Sequence, residues 1–200
     1  MPLLMLRDLP RYECLLKAAQ AYPDLDPSAT EVFLHLLRSG DEVFRVSERH
    51  LARHHISEGR FGVLMALWSS SERPGCDGRN ALTPAELADR TGVTRATITG
   101  LVDTLEKDGL VTRAPHHEDR RMLSVALTPR GRELLREILP GHFRRMSWLM
   151  ATLSEQERVT LVRLLGKVMQ RASEEGSDAA ALSASSPAFA PETAVGAESR

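Results

Sequence analysis

The segment from Thr83 to Thr128 constrains the fold of this 200-residue chain more than any other part of it. It opens with Thr83, Pro84 and Glu86, which match a helix start: a threonine cap, a proline at the first helical position and the glutamate of a capping box. Gly92 follows soon afterwards, and glycine readily takes the left-handed backbone conformation that ends a helix. The pattern therefore predicts a short helix that ends in a tight turn.

A second helix is predicted after the turn, with one apolar and one polar side. Thr94 is its expected cap, and Gly109 marks its expected end. Four apolar residues recur at helical spacing and form a single stripe: Ile98, Leu101, Val102 and Leu105. The opposite side carries small and polar residues, which let a helix approach the base edges of DNA closely. We expect the DNA contacts of this helix to come from Thr94, Arg95, Ala96, Thr97 and Thr99.

Two short apolar stretches after the second helix predict a β-hairpin. Leu110–Arg113 and Met122–Thr128 have strand character, because apolar residues alternate in them. The tip between them carries Arg120 and Arg121, which suit the narrow minor groove and the phosphates of DNA, and Asp119 can hold a guanidinium group in place. Taken singly, a charged tip or a threonine cap is also typical of an ordinary turn or helix start. Together and in this order, they predict a winged helix-turn-helix that binds DNA.

These motifs resemble those of the MarR family of transcriptional regulators. The wing matches the family pattern Asp-x-Arg-x-x-x-Val at Asp119, Arg121 and Val125, and two further stretches are similar to the family's helix-turn-helix and to its next helix: LADRTGVTRATITGLVDTLEKDGLVTR and LTPRGRELL. The resemblance covers about residues 28–172 and is nearest to the EmrR/MprA-like branch. It implies a ligand-responsive repressor, and the branch implies release by hydrophobic phenolic compounds. Gly100 departs from the family pattern, in which many members carry Arg or Asn there.

The rest of the chain is predicted to be helical on both sides of this segment. Helices are expected at Arg11–Ala21, from Ser28 to about His55, and from Ser57, Pro129 and Ser154 onwards. The predicted division is an N-terminal extension with dimerisation helices at 1–56, the winged helix-turn-helix at 57–128, C-terminal dimerisation helices at 129–173 and a disordered tail at 174–200. The fold class is therefore mainly α with a small β-hairpin wing, flanked by dimerisation helices.

The amphipathic helices at both ends of the chain predict a homodimer. One small winged domain cannot cover their apolar faces, so a second copy is expected to do so. A two-fold dimer of this kind places its recognition helices roughly 34 Å apart, which is one turn of DNA. We therefore expect double-stranded DNA with an inverted-repeat operator as the partner.

In the resembled family, effectors bind between the dimerisation helices and the DNA-binding lobe. At the corresponding place this chain offers His54, Arg60, Phe61 and Met65. They supply aromatic and thioether surface for an apolar body and a cation for a carboxylate or phenolate. Phe61 and Met65 fit a role in the hydrophobic core at least as well. We expect a small aromatic, phenolic or hydrophobic effector and no cofactor.

The composition favours a regulator that carries its positive charge locally. The formal net charge is −1, but arginines outnumber acidic residues between His116 and Arg145. DNA affinity is therefore expected to rest on local arginine contacts and to fall with salt. The chain is 42% hydrophobic, enough for a core, and it has no apolar run long enough to span a membrane. Its N-terminus lacks the basic and apolar regions of a signal peptide, so we expect a cytoplasmic bacterial protein.

Three alternatives stay open from the residues alone. His50 and His54 share a helix face and suggest a metal-responsive regulator, although zinc sites use three or four ligands. Cys14 and Cys76 allow a redox-responsive regulator, although incidental thiols fit the same pattern. A winged-helix module that binds protein instead of DNA is the third. The chain carries none of the common nucleotide-binding, hydrolase or metalloprotease motifs, so we do not expect an enzyme.

Overall fold

The structure is a computed structural model that describes residues 3–4, 8–71, 81–115 and 123–177. Two N-terminal helices, α1 (Tyr12–Ala21) and α2 (Pro27–Leu51), are followed by a 3-10 turn (Ala52–His54) and α3 (Glu58–Ser71). Then come α4 (Pro84–Thr91), α5 (Arg95–Lys107), the strands β1 (Val111–Pro115) and β2 (Leu123–Leu127), α6 (Pro129–Met150) and α7 (Glu155–Ser177). This confirms the predicted fold class, mainly α with a small hairpin. None of the described helices is long and apolar enough to cross a membrane.

Local capping forms the helix-turn-helix that the sequence predicts. The Glu86 N–H donates to Thr83 Oγ1 over 3.2 Å, and the Thr83 N–H donates to Glu86 Oε2 over 2.8 Å, which completes the capping box. Gly92 ends α4 with a φ of +68°, a conformation that residues with a side chain rarely adopt. Thr94 caps α5 by accepting the Thr97 N–H at 3.2 Å. The turn between α4 and α5 is therefore held at both ends.

The wing is an antiparallel hairpin with a short third partner. In its register Val111 pairs with Leu127 and Pro115 with Leu123. Leu82, just before α4, exchanges two backbone hydrogen bonds with Val125 of β2, at 3.0 and 2.8 Å. A strand of one residue shows no alternation in sequence, so this pairing was not predicted. It attaches the start of the helix-turn-helix directly to the wing.

The hydrophobic core lies among α3, α4, α5, the hairpin and the first half of α6. α3 is its centre, because apolar residues on several of its sides are buried. The largest fully buried side chains are Leu51, Leu64, Leu82, Leu87, Ile98, Leu105, Leu135 and Ile138. Full burial of a side chain of this size contributes about 1.5–3 kcal/mol. The core therefore holds α5 firmly against the rest of the winged domain.

Thr128 joins the wing to α6. Its hydroxyl accepts the Gly131 N–H at 3.0 Å and donates to the Gly109 carbonyl oxygen at 2.7 Å. Gly131 lies so close to the Leu110 carbonyl group that a Cβ at this position would collide with it. The threonine and glycine at the start of α6 therefore set how closely this helix approaches the wing.

The chain divides into two compact units, Met1–Leu149 and Met150–Arg200. In the first unit, the apolar stripe predicted for α2 is covered only at one end. Leu51 is fully buried, whereas Phe33 is 58% and Phe44 47% exposed. α6 continues through a proline without a break, and its outer apolar residues are also exposed: Phe143, Met146 and Trp148.

The second unit contains α7, which begins at the predicted capping box. The Ser154 N–H donates to Glu157 Oε2 at 2.8 Å, and the Glu157 N–H donates to Ser154 Oγ at 3.3 Å. The helix runs to Ser177, so the predicted start of a disordered tail at residue 174 is too early. Glu174 accepts a hydrogen bond from Arg171 at 3.2 Å, which supports the last turns. The remainder of the predicted tail, 178–200, lies outside the described residues.

Candidate nucleic-acid interface and effector groove

The first turns of α5 present the predicted recognition residues to solvent. Five of them lie exposed beside one another: Thr94, Arg95, Ala96, Thr97 and Thr99. The opposite side of the helix is fixed in the core, since Ile98, Val102 and Leu105 are at most 1% exposed. This arrangement offers an outward surface of small and polar side chains on a helix that cannot rotate freely.

Hydroxyl groups on this surface are partly engaged with the helix itself. The Thr94 and Thr97 hydroxyl oxygens lie 2.9 Å apart, and the Thr99 hydroxyl donates to the Arg95 carbonyl oxygen at 3.0 Å. A Cβ added at Gly100 would have no heavy atom of the described residues within 4 Å. The exposed side of α5 is therefore shallow at its middle, where close approach to another surface meets no side chain.

Arg113 ties the wing to the recognition helix. Its guanidinium donates to Asp103 Oδ1 at 2.5 Å and to Glu106 Oε2 at 2.7 Å, both on α5. The Arg113 backbone N–H also donates to Glu106 Oε1, at 3.1 Å. The hydrogen bond that Arg113 donates to Asp103 is the main cause that raises the pKa of Arg113 above its ordinary value. The wing strand and α5 are therefore linked by charged groups as well as by the core.

The predicted DNA contacts at the wing tip, Asp119, Arg120 and Arg121, lie outside the described residues. Pro115 and Leu123, the described residues on either side of the tip, are paired in the hairpin register. The strands that carry the tip are described, and Arg113 fixes one of them to α5. The roles of the three tip residues stay predictions.

A mostly apolar groove of about 370 Å³ lies between α2 and α6, with the start of α3 at its side. Its lining consists of Gly40, Val43, Phe44, Val46, Ser47, Glu58, His142, Arg145, Met146 and Leu149. Most of these residues were not singled out from the sequence. Phe44, Met146 and Leu149 belong to helical apolar stripes, which indicate a packed face but not a cavity. The groove arises only when residues far apart in sequence come together.

Polar groups at the groove are incompletely satisfied. Among the described residues, Glu58 Oε2 is buried and has no hydrogen-bond partner. His142 packs edge-on against Phe61, with ring centres 5.0 Å apart, and burial lowers the pKa of His142. Arg145 donates to the Gly141 carbonyl oxygen at 2.8 Å. The groove thus combines an apolar body with one unpaired acceptor and one cation.

His50 brings α2 and α6 close together. It is 5% exposed, and its Nε2 lies 3.2 Å from the Ile138 carbonyl oxygen. A Cβ at Gly141 would lie 2.8 Å from His50 Cε1, so a glycine is needed for this approach. Burial is the main cause that lowers the pKa of His50, and its Nδ1 is buried without a hydrogen-bond partner among the described residues. A neutral imidazole therefore fits this contact best.

The four predicted ligand-binding residues do not share one cavity. His54 and Arg60 line a polar cleft of about 600 Å³, where Arg60 pairs with Asp108 at the end of α5. Phe61 is 5% exposed and belongs to the core. Met65 lines a separate depression between α3 and α4. The structure therefore brings only His54 and Arg60 together in one cavity. Phe61 does not line the apolar groove, but it contacts His142, which does.

The described residues contain no group of three or more histidine, cysteine, aspartate or glutamate side chains that could hold a metal ion. His50 and His54 contact each other edge-on at 5.3 Å without a further ligand. Cys14 lies exposed on α1, and Cys76 lies outside the described residues. The metal-responsive and redox-responsive alternatives therefore gain no support from the described part of the chain.

Several known proteins are similar to this chain. The family model described as MarR family matches residues 76–123. The HTH-type transcriptional repressor YetL of Bacillus subtilis is 38% identical over 168 residues, which cover 84% of this chain and 96% of YetL. The transcriptional repressor MprA of Escherichia coli is 32% identical over 131 residues, which cover 66% of this chain and 70% of MprA. Among solved structures, BpsR of Bordetella bronchiseptica is 26% identical with a TM-score of 0.57, and the match covers 68% of this chain and 91% of BpsR. The DNA binding of BpsR is regulated by 6-hydroxynicotinic acid.

Proposed function

This chain belongs to the MarR family of DNA-binding transcriptional regulators, and from that membership we propose that it is a repressor that binds an inverted-repeat operator as a homodimer and leaves it when a small aromatic effector binds. The observation that carries the proposal is the outward surface of α5. Small and polar residues from Thr94 to Thr99 are exposed there, while the other side of the helix is buried. A helix held in this way can enter the major groove and read base edges.

The DNA contacts divide between α5 and the wing. Arg95 and Thr99 with their small neighbours read the major groove, where short side chains allow the helix to come close. Arg121 enters the minor groove, Arg120 binds a phosphate nearby, and Asp119 positions them. Arg113 supports the wing assignment, because its bonds to α5 keep the two reading elements at a constant separation.

A homodimer would cover the apolar surface that each unit leaves exposed. In the first unit this surface lies on α2 and α6 and includes Val32, Phe33 and Trp148. In the second unit it lies on α7 and includes Leu164 and Val168. Exposed apolar faces of this extent are typical of interaction surfaces. A two-fold arrangement would place one recognition helix in each half of an inverted repeat.

We assign the effector site to the groove between α2 and α6. Its apolar lining and its few polar groups are typical of small-molecule sites. DNA binding by the similar protein BpsR is regulated by 6-hydroxynicotinic acid, an aromatic compound that carries both a hydroxyl and a carboxylic acid group. An effector wedged between these helices would alter the spacing of the two recognition helices, with a coupling of about 1–3 kcal/mol. The polar cleft that contains His54 and Arg60, two of the four ligand-binding residues predicted from the sequence, is the alternative location, because it touches the end of α5.

The proposal is tested by operator selection from a pool of random duplexes with the full-length protein. We expect two half-sites whose centres are about 10 base pairs apart, and an affinity that falls steeply with salt. The matched control is the selected duplex with one half-site scrambled, which should bind much more weakly. Failure to enrich any sequence, or an affinity that does not respond to salt, would contradict the DNA-binding proposal. Release from the selected duplex is then measured with simple aromatic compounds.

A further inference from the structure

Glu58 is the polar residue of the α2–α6 groove whose bonding is least complete. It is the first residue of α3 and lines the groove beside His142 and Arg145. Its Oε2 atom is buried and has no hydrogen-bond partner among the described residues. A buried acceptor without a donor is unfavourable, and more so when it carries charge. A donor brought by another molecule would therefore be stabilised at this position.

The surroundings of Glu58 restrict the charge of such a molecule. Arg145 is the cation that shares the groove, and one of its N–H groups is already engaged by the Gly141 carbonyl oxygen. Burial is the main cause that lowers the pKa of His142, and it outweighs the charge of the neighbouring Glu58, which acts to raise that pKa. The formal charges of Glu58 and Arg145 cancel, so the groove has no net charge to attract an ion. A carboxylate would meet the repulsion of Glu58 together with the attraction of Arg145, and an ammonium group would meet the reverse, so neither ion gains a net attraction that offsets the loss of its hydration.

We propose that Glu58 selects the effector, and that the groove takes a neutral aromatic molecule carrying an O–H or N–H donor, such as a phenol, in preference to an aromatic carboxylate. The inference rests on the proposed effector groove. The apolar walls formed by Phe44, Val43 and Met146 hold the aromatic body. The donor binds the Glu58 carboxylate, whose terminal torsion is soft enough to turn the unpaired oxygen toward the groove.

The experiment compares three probes that share one body and differ in one polar group: 4-propylphenol, its methyl ether 4-propylanisole, and 4-propylbenzoate. Binding to the full-length protein is measured by calorimetry without DNA, so the result does not depend on operator release. We expect the phenol to bind about tenfold or more tightly than the anisole, as a hydrogen bond to a charged group implies. The benzoate is expected to bind most weakly.

Two variants assign the preference to Glu58. Glu58→Leu removes the acceptor, so the phenol and the anisole should then bind within about twofold of each other. Glu58→Gln keeps an amide oxygen as acceptor but removes the charge, so the benzoate should gain about tenfold while the phenol stays the better ligand. Glu155→Leu is the matched control, because Glu155 is also the first residue of a helix; it should leave all three affinities unchanged. If Glu58→Leu does not fold, the predicted gain in benzoate affinity of Glu58→Gln decides whether Glu58 sets the ligand preference.

Equal binding of the phenol and the anisole to the native protein would overturn the inference, as would a phenol preference that survives Glu58→Leu or an absence of binding by all three probes. Operator binding is measured separately. If the native protein binds its operator but does not discriminate among the three probes, only the role of Glu58 is contradicted. Selective phenol binding without any operator binding contradicts only the proposed function.

Discussion

The guanidinium of Arg113 in strand β1 donates to the carboxylate of Asp103 in α5 over 2.5 Å. Glu106, one helical turn further along α5, accepts hydrogen bonds from both the guanidinium and the backbone N–H of Arg113. The Arg113 side chain is 23% exposed, whereas its partners Asp103 and Glu106 are 58% and 38% exposed, so the guanidinium is the better shielded side of these pairs. The wing and the recognition helix therefore move as one body, which is what simultaneous binding to two DNA grooves requires.

Replacing Arg113 by Met should weaken operator binding by about tenfold, equivalent to roughly 1.4 kcal/mol. The methionine keeps the packing of the stem but loses the charged bonds that orient the wing relative to α5. Fluorescence anisotropy with the selected operator measures the change, and gel filtration with light scattering checks that the oligomeric state is kept. The control is Arg171→Met, since Arg171 pairs with Glu174 on α7 and its side chain is 86% exposed. Native affinity in Arg113→Met would contradict the coupling.

Replacing Arg121 by Ala should weaken operator binding and leave the oligomeric state unchanged. The prediction follows from the assignment of Arg121 to the minor groove, where an arginine contact adds both affinity and salt dependence. A salt titration should therefore show a slope smaller by about 1 than that of the native protein. Arg171→Ala, at an exposed site on α7, is the control. Unchanged binding by the Arg121 variant would refute the wing assignment.

The parts of the fold that were predictable depend on residues close in sequence. The capping box of Thr83 and Glu86 and the left-handed Gly92 are local features, so the sequence alone indicates where α4 begins and ends. The apolar stripe of α5 likewise predicts which side is buried, and Ile98 at 0% exposure confirms it. The exposed positions of Thr94 to Thr99 follow from the same periodicity.

The parts that were not predictable depend on residues far apart in sequence. Glu58 begins α3, whereas His142 and Arg145 lie in α6, and only tertiary packing brings them to one groove. The close contact of His50 with Gly141 has no local signal, because a glycine after a proline suggests a break and not a contact. Helical periodicity also cannot separate a buried side chain such as Phe61 from one that faces a cavity.

Replacing Gly100 by Ala should raise the free energy of unfolding by about 0.5–1 kcal/mol. Gly100 lies in the interior of α5, where glycine is less favourable than alanine, and a Cβ there meets no atom within 4 Å. Urea unfolding measures the effect. Gly131→Ala is the matched opposite case and should be destabilising, because its Cβ would collide with the Leu110 carbonyl group. A destabilised Gly100→Ala would mean that this site is not open.

Stability should fall as the pH drops below about 7.5 and toward the lowered pKa of His50. Burial lowers the pKa of His50 in the folded protein, and Arg145, His54 and His142 add unfavourable charge nearby. Between that lowered pKa and the usual value of about 6.5, the unfolded chain binds more protons, so acid favours unfolding. His50→Gln keeps an N–H donor for the Ile138 carbonyl and should flatten the dependence seen in urea unfolding. His35→Gln, at an exposed histidine, should leave the dependence as it is; a native slope in His50→Gln would contradict the assignment.

Replacing Leu164 by Lys should convert the proposed homodimer to monomers and abolish tight operator binding. Leu164 shares one face of α7 with Leu161 and Val168, and all three are at least 38% exposed in the single chain. A lysine at this position would place an ammonium group in the apolar interface between the two α7 helices. The free energy needed to bury that charge exceeds what the packing of these helices contributes. Sedimentation velocity measures the mass, and Gln170→Lys, on the other side of α7, is the control. A Leu164→Lys protein that remains dimeric would place the interface on α2 and α6 alone, because those helices would then suffice to hold two copies together.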